Sequence, residues 1–339
     1  MIMDPFEKAA IGETGVQVTR LGLGGAPLGG MVLADGIYQG SRYEEALALI
    51  RRAYEMGVRY FDTAPLYGNG CSETRYGRVL GEFPRDTYTI STKASRILRP
   101  ENPEDLEPYS EDGIPHFVYD FDFSAAGIRA SLDASLERLG LEAVDILFVH
   151  DSDFKDQHED DVFIEALTAA TELRETGVVK AIGMGMNQWE RSGRMVERFD
   201  LDYILLAGRY TLLDQSALPE FLPLCVERSV KLAIGGPYNS GILARDLDRP
   251  VSFEYQRAPQ RLVDKARALK AVCDRHGVAL RAAALQFVFG HEAVISAVPG
   301  AATVAEVKDN VRVMQVEIPP ALWDEIKARG LLPEEVPTP

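Results

Sequence analysis

The sequence contains few cysteines, and their spacing excludes the frameworks that cysteines usually build. Only three occur in 339 residues, Cys71, Cys225 and Cys273, and no CxxC pair is present. An odd number of widely separated cysteines argues against both a disulfide network and a zinc site. We therefore expect three free thiols and no metal centre.

Long apolar runs and an excess of basic residues are also missing. No segment approaches the roughly 18 to 20 consecutive apolar residues that cross a bilayer. The opening stretch MIMDPFEKAA has neither the apolar core nor the cleavage pattern of a secretory signal. Fifty-two acidic against 36 basic residues give a net charge of −16, which repels nucleic acid and anionic membranes. We expect a cytoplasmic protein that binds neither.

Several nucleotide-binding and hydrolase motifs are absent as well. The glycine clusters at 22–30, 68–70 and 183–185 all miss the GxGxxG spacing, so the pyrophosphate turn of a Rossmann sheet is not encoded. Walker A, HExxH and GxSxG patterns do not occur. A Rossmann sheet, the competing architecture, is therefore disfavoured.

The chain instead alternates short β-branched runs with amphipathic segments, which is typical of βαβ units around a parallel sheet. Eight runs read as strands: 20–24, 58–62, 88–93, 145–150, 179–184, 203–207, 231–235 and 294–298. Eight is the strand number of the (β/α)8 barrel, and 339 residues fit one such barrel with insertions. No break in composition marks a second domain. We predict an α/β protein with a single TIM-barrel domain over residues 1–339.

Amphipathic segments with helical spacing lie between the predicted strands. The first four are 43–56, 72–83, 124–140 and 162–177. Ser72 and Ser124 are predicted N-caps, because their hydroxyls can accept from free backbone N–H groups. Gly57, Gly140 and Gly177 are predicted to end their helices.

Three predicted strands end in titratable residues, namely Asp62, Lys93 and His150. In a barrel the reacting groups lie at the carboxyl ends of the strands, so these side chains should meet at one mouth. Tyr67 follows Asp62 by five positions and precedes Gly68. Glycine permits the tight turns that would bring this loop back over the mouth. We call Asp62, Tyr67, Lys93 and His150 the tetrad.

The tetrad makes chemical sense as a proton-transfer device. A phenol of pKa near 10 is a poor acid or base at neutral pH, but an ammonium held by a carboxylate would favour the phenolate and lower that pKa. An imidazole can orient the substrate oxygen. Each residue also has an ordinary structural interpretation as a turn cap, a solvated lysine, a core histidine or a packed aromatic. Their joint occurrence at strand ends favours function.

The residues that carry this set also carry a family resemblance. The motif GVRYFDTAPLYGNGCSE (57–73), the lysine of TKAS and the histidine of DILFVHDSD resemble signatures of the aldo-keto reductase superfamily. The resemblance runs nearly from end to end. It implies a (β/α)8 barrel that transfers hydride between a nicotinamide dinucleotide and a carbonyl or alcohol. The catalytic residues implied by the resemblance are the same tetrad.

Within that family the segments HFVYDFDFSAAGIRASLDASLERLGLEAVDILFVHD and LLAGRYTLLDQ are similar to a branch of sugar dehydrogenases of the L-fucose or D-threo-aldose type. This implies oxidation of the C1 hydroxyl of an aldose to a lactone, with Tyr67 moving the proton and His150 holding the reacting oxygen. Three alternatives stay open: a pyridoxal 4-dehydrogenase, an NADPH-dependent aldehyde reductase, and a barrel that binds the cofactor as a sensor or subunit.

The resemblance also implies contacts to the nicotinamide, and here the sequence departs from the family pattern. Asn187 matches an asparagine that holds the carboxamide, but Gly185 stands near the place of a serine and Ala207 near that of a glutamine. Ile234 takes the place of an aromatic that often stacks on the ring, although Tyr238 is close.

At the other end of the cofactor, the segment PGAATVAEVKDN implies Gly300, Glu306 and Asn310 as contacts. NADP-preferring members have cations here that pair with the 2′-phosphate, whereas the Glu306 carboxylate would repel it and can accept from a ribose hydroxyl. We expect NAD to be preferred, with NADP still possible. The alternative is that Glu306 lies on a solvated helix face and that Lys308 or Arg312 compensates.

The segment from 94 to 123 is too long for an ordinary connection and follows Lys93 directly, so we expect it to wall the substrate pocket. Its aromatic residues could stack on a sugar face or a pyridine ring, or simply pack the loop on the barrel. They are Tyr109, His116, Phe117, Tyr119 and Phe121. The expected partner is a small-molecule sugar or aldehyde, and the sequence does not indicate an oligomeric state.

Overall fold

The structure is a computed structural model that describes residues 2–30, 32–33, 38–101, 117–151 and 159–339. Its strands are, in chain order, β1 Lys8–Ala10, β2 Gln17–Thr19, β3 Leu23–Gly24, β4 Val32–Leu33, β5 Tyr38–Gln39, β6 Tyr60–Asp62, β7 Thr89–Ala94, β8 Arg96–Pro100, β9 Phe117–Phe121, β10 Ile146–Asp151, β11 Ala181–Met186, β12 Tyr203–Ala207, β13 Lys231–Gly235, β14 Ser252–Phe253, β15 Gln256–Arg257 and β16 Val294–Val298. These strands form one large parallel sheet and four two-stranded ribbons.

Eight of the strands form the central sheet, in the order β3, β6, β7, β10, β11, β12, β13, β16, with each adjacent pair parallel. The ring closes through single parallel bridges from Leu21 to Ala297 and from Gly24 to Gly300. Each predicted strand contributes to this sheet, and the (β/α)8 barrel is confirmed. The assignment of residues 1–339 to a single domain stays a prediction.

The helices pack around this barrel. They are α1 Tyr43–Met56, α2 Cys71–Leu80, α3 Ala125–Leu139, α4 Asp160–Glu175, α5 Trp189–Arg198, α6 Phe221–Glu227, α7 Gln260–Arg275, α8 Leu280–Phe287, α9 Val304–Met314 and α10 Pro320–Ala328. Short 3-10 turns occur at Pro27–Gly29, Arg85–Thr87 and Val288–Gly290. The first four helices match the predicted segments to within a few residues.

The predicted helix caps are confirmed at three positions, whereas α4 ends at Glu175 with Thr176, not Gly177, as its C-cap. Ser124 caps α3 as expected, because its Oγ accepts from the backbone N–H of Gly127. Gly57 and Gly140 end α1 and α3 in the left-handed conformation. The prediction that Ser72 is an N-cap is wrong: α2 begins at Cys71 after Gly70, and the Ser72 Oγ lies inside the helix, where it accepts from Thr63 Oγ1 at 2.9 Å.

The amino-terminal end of the barrel is closed by the antiparallel ribbon β1–β2. Apolar side chains of this ribbon and its turn join the residues that fill the barrel interior in one buried cluster. The cluster includes Ile11, Val16, Val18, Tyr60, Phe148 and Tyr203. Because this end is filled with apolar side chains, a small molecule reaches the strand ends only from the carboxyl-terminal mouth.

The long segment after Lys93 has well-defined stems. Strands β8 and β9 pair in antiparallel register from Arg96 opposite Phe121 to Pro100 opposite Phe117. Residues 102–116, which include the predicted Tyr109 and His116, lie outside the described residues. Within the described ranges, no helix has the length and apolarity needed to cross a membrane, and no three acidic, histidine or cysteine side chains converge as metal ligands.

Candidate active site

Three members of the tetrad meet at the carboxyl-terminal mouth of the barrel. Asp62 is the last residue of β6, Lys93 lies near the end of β7, and His150 lies near the end of β10. These strands are neighbours, since β7 pairs with both β6 and β10. All three side chains are buried, with exposed fractions of 2%, 0% and 4%. The predicted convergence of strand ends is therefore present.

Asp62 and Lys93 form a buried ion pair. Lys93 Nζ donates to Asp62 Oδ2 at 2.7 Å, to Oδ1 at 2.9 Å, and to the carbonyl of Thr63 at 2.7 Å. Ser91 Oγ also donates to Asp62 Oδ1, at 2.7 Å. Burial raises the pKa of the Asp62 carboxyl and lowers that of the Lys93 ammonium, and the charge of each partner opposes these shifts. The ammonium is thus fixed and its charge compensated.

Tyr67 lies between this ion pair and His150. Lys93 Nζ is 4.7 Å from the centre of the Tyr67 ring, and the His150 ring centre is 6.1 Å from it in an edge-to-face arrangement. Burial raises the pKa of the Tyr67 phenol above its usual value, and the charge of Asp62 raises it further, while Arg96 opposes both. This direction is opposite to the one expected, because burial disfavours the charged phenolate. The phenol is therefore protonated at neutral pH.

His150 is a neutral imidazole at this site. Burial lowers its pKa well below the usual value, and the nearby charges of Arg96 and Lys93 lower it further. Its buried Nδ1 has no hydrogen-bond partner among the residues that the structure describes. A neutral ring that faces Tyr67 suits the predicted role of orienting a substrate oxygen better than that of a proton donor.

Glycines explain why Tyr67 can fold back over the mouth. Gly68 has a φ of +64°, and a Cβ on it would lie 2.1 Å from the carbonyl oxygen of Gly29. A Cβ on Gly29 would lie 2.4 Å from the Gly68 nitrogen. Backbone packs directly on backbone here, which only glycines allow. The loop that carries Tyr67 is therefore seated against the turn that follows β3.

Replacement of Gly68 by alanine should displace this loop. The expected result is a loss of at least tenfold in turnover together with a lower free energy of unfolding, because the new methyl group must push the Tyr67 loop off Gly29. Gly140→Ala is the matched control, since Gly140 has a φ of +63° with no atom within 4 Å of its Cβ position. That variant should show only the backbone strain, about 1–2 kcal/mol. Equal effects of the two variants on turnover would contradict this account of the loop.

A cavity of about 360 Å³ adjoins the tetrad. Asp62, Tyr67, Glu306 and Asn310 all line it. Much of the wall is backbone. The glycines that contribute are Gly24, Gly25, Gly235, Gly236, Gly241 and Gly300. A cavity with glycine walls and with titratable and polar groups in its lining can accept a ligand close to the main chain.

The residues predicted to contact the adenosine end line this cavity. Asn310 is buried, and its Oδ1 accepts from the Tyr238 hydroxyl at 2.8 Å. Glu306 Oε2 accepts from the backbone N–H of Ala302 at 2.7 Å, so this carboxylate also stabilises the start of α9. Gly300 approaches Pro27 so closely that a Cβ on it would lie 2.6 Å from the proline Cγ. The three residues therefore line one cavity, and their contacts with a cofactor stay predictions.

Neither of the two residues predicted to contact the nicotinamide, Asn187 and Ile234, lines the cavity. The Ile234 side chain is fully buried in the core between barrel and helices, and Gly235 lines the cavity at this strand end. Asn187 is not part of the cavity wall, but its buried Oδ1 lacks a partner in the described part of the chain. At Gly185 a Cβ would lie 3.1 Å from Lys93 Cε, so a serine there would crowd the lysine. The contacts of Asn187 and Ile234 stay predictions.

One observation at the cavity wall bears on the fit of a nicotinamide dinucleotide. The orphaned Asn187 Oδ1 does not, because Asn187 lies outside that wall. Gly236 has a φ of +56° and no atom within 4 Å of its Cβ position, which leaves open space beside the backbone. Gly235, Gly236 and Gly300 would then lie against the cofactor, with Asn310 at its adenine end.

Sequence reasoning missed several residues at the mouth. Tyr255 lines the cavity from the tip of ribbon β14–β15, where both turn residues, Glu254 and Tyr255, have positive φ values of +50° and +58°. Glu254 pairs with Arg209 at 2.6 Å, which holds the tip in place. Burial raises the pKa of the Tyr255 phenol, and Tyr67 raises it further. No local sequence motif indicates that Tyr255 is a site residue, because it lines the cavity only through the folding together of segments that are distant in sequence.

Two arginines were also missed. Arg281 lines the cavity, and its Nε is bound by Asp309. Arg96 is buried behind His150. Arg96 stands only three residues after Lys93, and this short distance is the one signal that could have identified it. Arg281 lies in a different helix from the segment PGAATVAEVKDN, so its position in the sequence relative to that motif does not identify it.

Three comparisons with known proteins agree with this geometry. A family model described as "Aldo/keto reductase family" matches residues 20–329. The chain is 39% identical to a pyridoxal 4-dehydrogenase of Microbacterium luteolum, over 98% of this chain and 100% of that protein. It is 38% identical to a D-threo-aldose 1-dehydrogenase of a Pseudomonas species, over 98% and 99%.

The fold is similar to that of solved structures as well. An aldo-keto reductase from Bacillus halodurans in its holo form superposes with a TM-score of 0.75 at 23% identity, covering 98% of both chains. That likeness supports the barrel, and the two closer relatives support the family. Because the family model spans most of the sequence and both relatives match nearly their full length, the chain belongs to the aldo/keto reductase family.

Proposed function

We propose that this protein oxidises the C1 hemiacetal hydroxyl of an aldose to the lactone, with the tetrad as its catalytic residues. Members of the aldo/keto reductase family are oxidoreductases that use NAD(H) or NADP(H). The observation that carries the proposal is the position of Tyr67, whose ring lies between the Lys93 ammonium and the His150 imidazole beside the cavity. A relative of 38% identity is a D-threo-aldose 1-dehydrogenase, which supports the substrate class.

Each tetrad member has a role that follows from its surroundings. The neutral His150 ring holds the C1 hydroxyl oxygen beside Tyr67. Tyr67 first gives up its own phenol proton to solvent and then takes the hydroxyl proton, so that the oxygen–hydrogen bond breaks as the carbonyl of the lactone forms. Asp62 fixes the Lys93 ammonium close to the phenol ring. A bound nicotinamide dinucleotide supplies the acceptor for the hydride that leaves C1.

We further propose NAD as the preferred cofactor. Glu306 lines the cavity, where a carboxylate repels a 2′-phosphate and can accept from a ribose hydroxyl. Two arginines, Arg245 and Arg281, also line the cavity, and Arg281 pairs with Asp309, which compensates its charge. Lys308 and Arg312 are the two cations of this segment that could compensate for Glu306. Arg312 also pairs with Asp309, at 2.6 Å.

Replacement of Glu306 by glutamine tests the cofactor preference. The amide oxygen of glutamine can still accept from the Ala302 N–H, so the change removes charge while it keeps the start of α9. The ratio of kcat/KM with NAD+ to that with NADP+ is expected to fall about tenfold, which corresponds to about 1.4 kcal/mol. Glu317→Gln, an exposed carboxylate outside the cavity wall, should leave the ratio unchanged. A wild-type protein that prefers NADP+ would refute the role given to Glu306.

Pyridoxal oxidation is the second candidate, and it is favoured by the relative of 39% identity that is a pyridoxal 4-dehydrogenase. Its substrate also carries a hydroxyl that loses a proton and a hydride. The two functions differ in the shape of the substrate. Among the described residues of the segment 94–123, none lines the cavity, and Tyr119 and Phe121 contact each other edge to face at 5.7 Å.

Initial rates at 340 nm separate the candidates. The protein is assayed with NAD+ and NADP+ against L-fucose, L-galactose, D-arabinose, D-xylose, D-glucose and pyridoxal. Turnover of L-fucose-type sugars supports the proposal. Turnover of pyridoxal alone would refute it and support pyridoxal oxidation, the second candidate. Cofactor binding without turnover of any substrate, including aldehydes in the reducing direction, would indicate a sensor or subunit and would refute both.

A further inference from the structure

Two neighbouring strands of the barrel carry four buried polar side chains that are linked by hydrogen bonds. Tyr60 and Asp62 lie two positions apart on β6, and Ser91 and Lys93 lie two positions apart on β7. Because strand residues two positions apart face the same side, each pair lies on one face of its strand. In the register of the two strands Asp62 lies opposite Ser91. All four side chains have exposed fractions of 2% or less.

The direction of these hydrogen bonds follows from the number of protons that each group carries. Ser91 Oγ donates to Asp62 Oδ1 at 2.7 Å, and a serine hydroxyl has only one proton. The Tyr60 hydroxyl lies 3.2 Å from the same Oγ, so it is the donor in that contact. Burial raises the pKa of the Tyr60 phenol well above its usual value, so this proton stays in place. The chain of donors therefore runs from Tyr60 through Ser91 to Asp62.

The Asp62 carboxylate in turn determines where the Lys93 ammonium lies. An ammonium has three protons, and Lys93 Nζ donates to three oxygens: Asp62 Oδ1 at 2.9 Å, Asp62 Oδ2 at 2.7 Å and the Thr63 carbonyl at 2.7 Å. Two of these three acceptors belong to one carboxylate, so a rotation of that group would displace Nζ. The same Nζ lies 4.7 Å from the centre of the Tyr67 ring. A rotated Asp62 carboxylate would therefore change the distance from the ammonium to Tyr67.

The chain orients the carboxylate and does not carry protons to solvent. Its far end, the Tyr60 side chain, is fully buried and belongs to the apolar cluster that fills the amino-terminal end of the barrel. The Tyr203 ring of the same cluster lies 6.1 Å from the Tyr60 ring, centre to centre. A proton that entered the chain at Asp62 would thus stop among apolar side chains. Donation from Ser91 fixes the rotation of the carboxylate instead.

We propose that Ser91 is a positioning residue for catalysis: held by the Tyr60 hydroxyl, it fixes the Asp62 carboxylate so that the Lys93 ammonium stays beside Tyr67. Ser91 is not part of the cavity wall, so it acts only through these side chains. The inference rests on the proposed function, because its effect is measured through the proton transfer assigned to Tyr67. It does not depend on which sugar or alcohol is oxidised.

Ser91→Ala removes the donor to Asp62 and leaves the charges of Asp62 and Lys93 in place. With the substrate that turns over in the initial-rate assay, kcat is expected to fall about tenfold, because the ammonium is no longer held beside Tyr67. The substrate KM and the Kd of the cofactor should stay within about twofold of wild type, because the cavity wall is unchanged. A loss of packing alone would not separate kcat from KM and Kd in this way.

Ser296→Ala is the matched control. Ser296 is also fully buried and lies on a barrel strand, but its hydroxyl donates to the Thr19 carbonyl at 2.9 Å and to no tetrad residue. Ser296→Ala and Ser91→Ala each lose one buried hydrogen bond, so both should unfold at a lower urea concentration than wild type. Only Ser91→Ala should lose turnover, and kcat of Ser296→Ala should stay within about twofold of wild type.

Tyr60→Phe tests the same chain from its other end and does not require Ser91→Ala to fold. Phenylalanine keeps the buried ring but removes the proton that holds Ser91, so kcat is expected to fall about threefold. When the two changes are combined, kcat should equal that of Ser91→Ala alone, because residues of one hydrogen-bonded chain are not additive.

The outcomes are distinct. A lower kcat in Ser91→Ala with KM and Kd kept, and no further loss in the double variant, supports the inference. An unchanged kcat in Ser91→Ala or in Tyr60→Phe, an equal loss in Ser296→Ala, or losses that multiply in the double variant would overturn it and leave Ser91 with a packing role. Wild-type protein that turns over no substrate would refute the proposed function itself, and the role of Ser91 with it.

Discussion

Tyr67→Phe is expected to lower kcat for aldose oxidation about a thousandfold while the affinity for the cofactor stays within a few-fold of wild type. The reason is that the phenol oxygen is the group proposed to take the proton, and general acid–base groups contribute about 10²–10⁴-fold. Phenylalanine keeps the ring that packs between Lys93 and His150. Steady-state rates at 340 nm and cofactor titration by protein fluorescence measure the two quantities separately.

Tyr255→Phe is the matched control for this variant. Tyr255 lines the same cavity, yet it is not proposed to move a proton. Its loss should change kcat by less than tenfold. If Tyr255→Phe lost as much activity as Tyr67→Phe, or if Tyr67→Phe kept most of its turnover, the assignment of Tyr67 as the base would fail.

The second large effect is expected from Lys93→Met. This change leaves the Asp62 carboxylate buried without its cation, and loss of one partner of a buried ion pair costs about 3–5 kcal/mol of unfolding free energy. Turnover should fall as well, because the ammonium 4.7 Å from the Tyr67 ring is lost. Equilibrium unfolding in urea and the steady-state rate measure the two effects.

A double variant separates stability from chemistry. Asp62→Asn combined with Lys93→Met removes both charges, so the unfolding free energy should recover in part although turnover should not. Arg99→Met removes one partner of an exposed pair and should leave stability and rate nearly unchanged. Recovery of turnover in the double variant would contradict a catalytic role for the pair, and additive losses of stability would contradict the coupling of Asp62 to Lys93.

The sequence predicts the barrel and the tetrad for related physical reasons. Strands of a parallel barrel are buried on both faces, so each appears as a short apolar run that can be counted. The tetrad positions follow because Asp62, Lys93 and His150 stand at the ends of such runs. Gly68 beside Tyr67 signals the turn, although the sequence does not show that it packs against Gly29.

The error on the pKa of Tyr67 and the omission of Tyr255 share one cause, which is contact between segments distant in sequence. The pKa of Tyr67 depends on burial and on the charge of Asp62, and the spacing of residues along the chain does not reveal the burial. Tyr255 reaches the cavity from a ribbon about 190 positions further along the chain, by simple counting. Ile234 lies one residue before the cavity wall, because successive strand residues face opposite sides.

The glycine at position 185 shows how a departure from a family pattern can have a local reason. A serine there would place its Cβ 3.1 Å from Lys93 Cε. Gly185 lies opposite His150 in the register of β10 and β11, so it borders two tetrad residues at once. The loss of one polar contact to the cofactor is therefore coupled to space for the buried lysine.

The central claim is that the hydrogen at C1 of an aldose leaves as hydride while Tyr67 takes the hydroxyl proton. The most direct measurement compares the oxidation of L-fucose that carries deuterium at C1 with that of L-fucose that carries it at C2, with the product identified by NMR. We predict slower oxidation only for the C1-deuterated sugar, transfer of that deuterium to the cofactor, and a sugar lactone as product. Equal rates with retention of the C1 deuterium in the product, or oxidation at another carbon, would contradict the account.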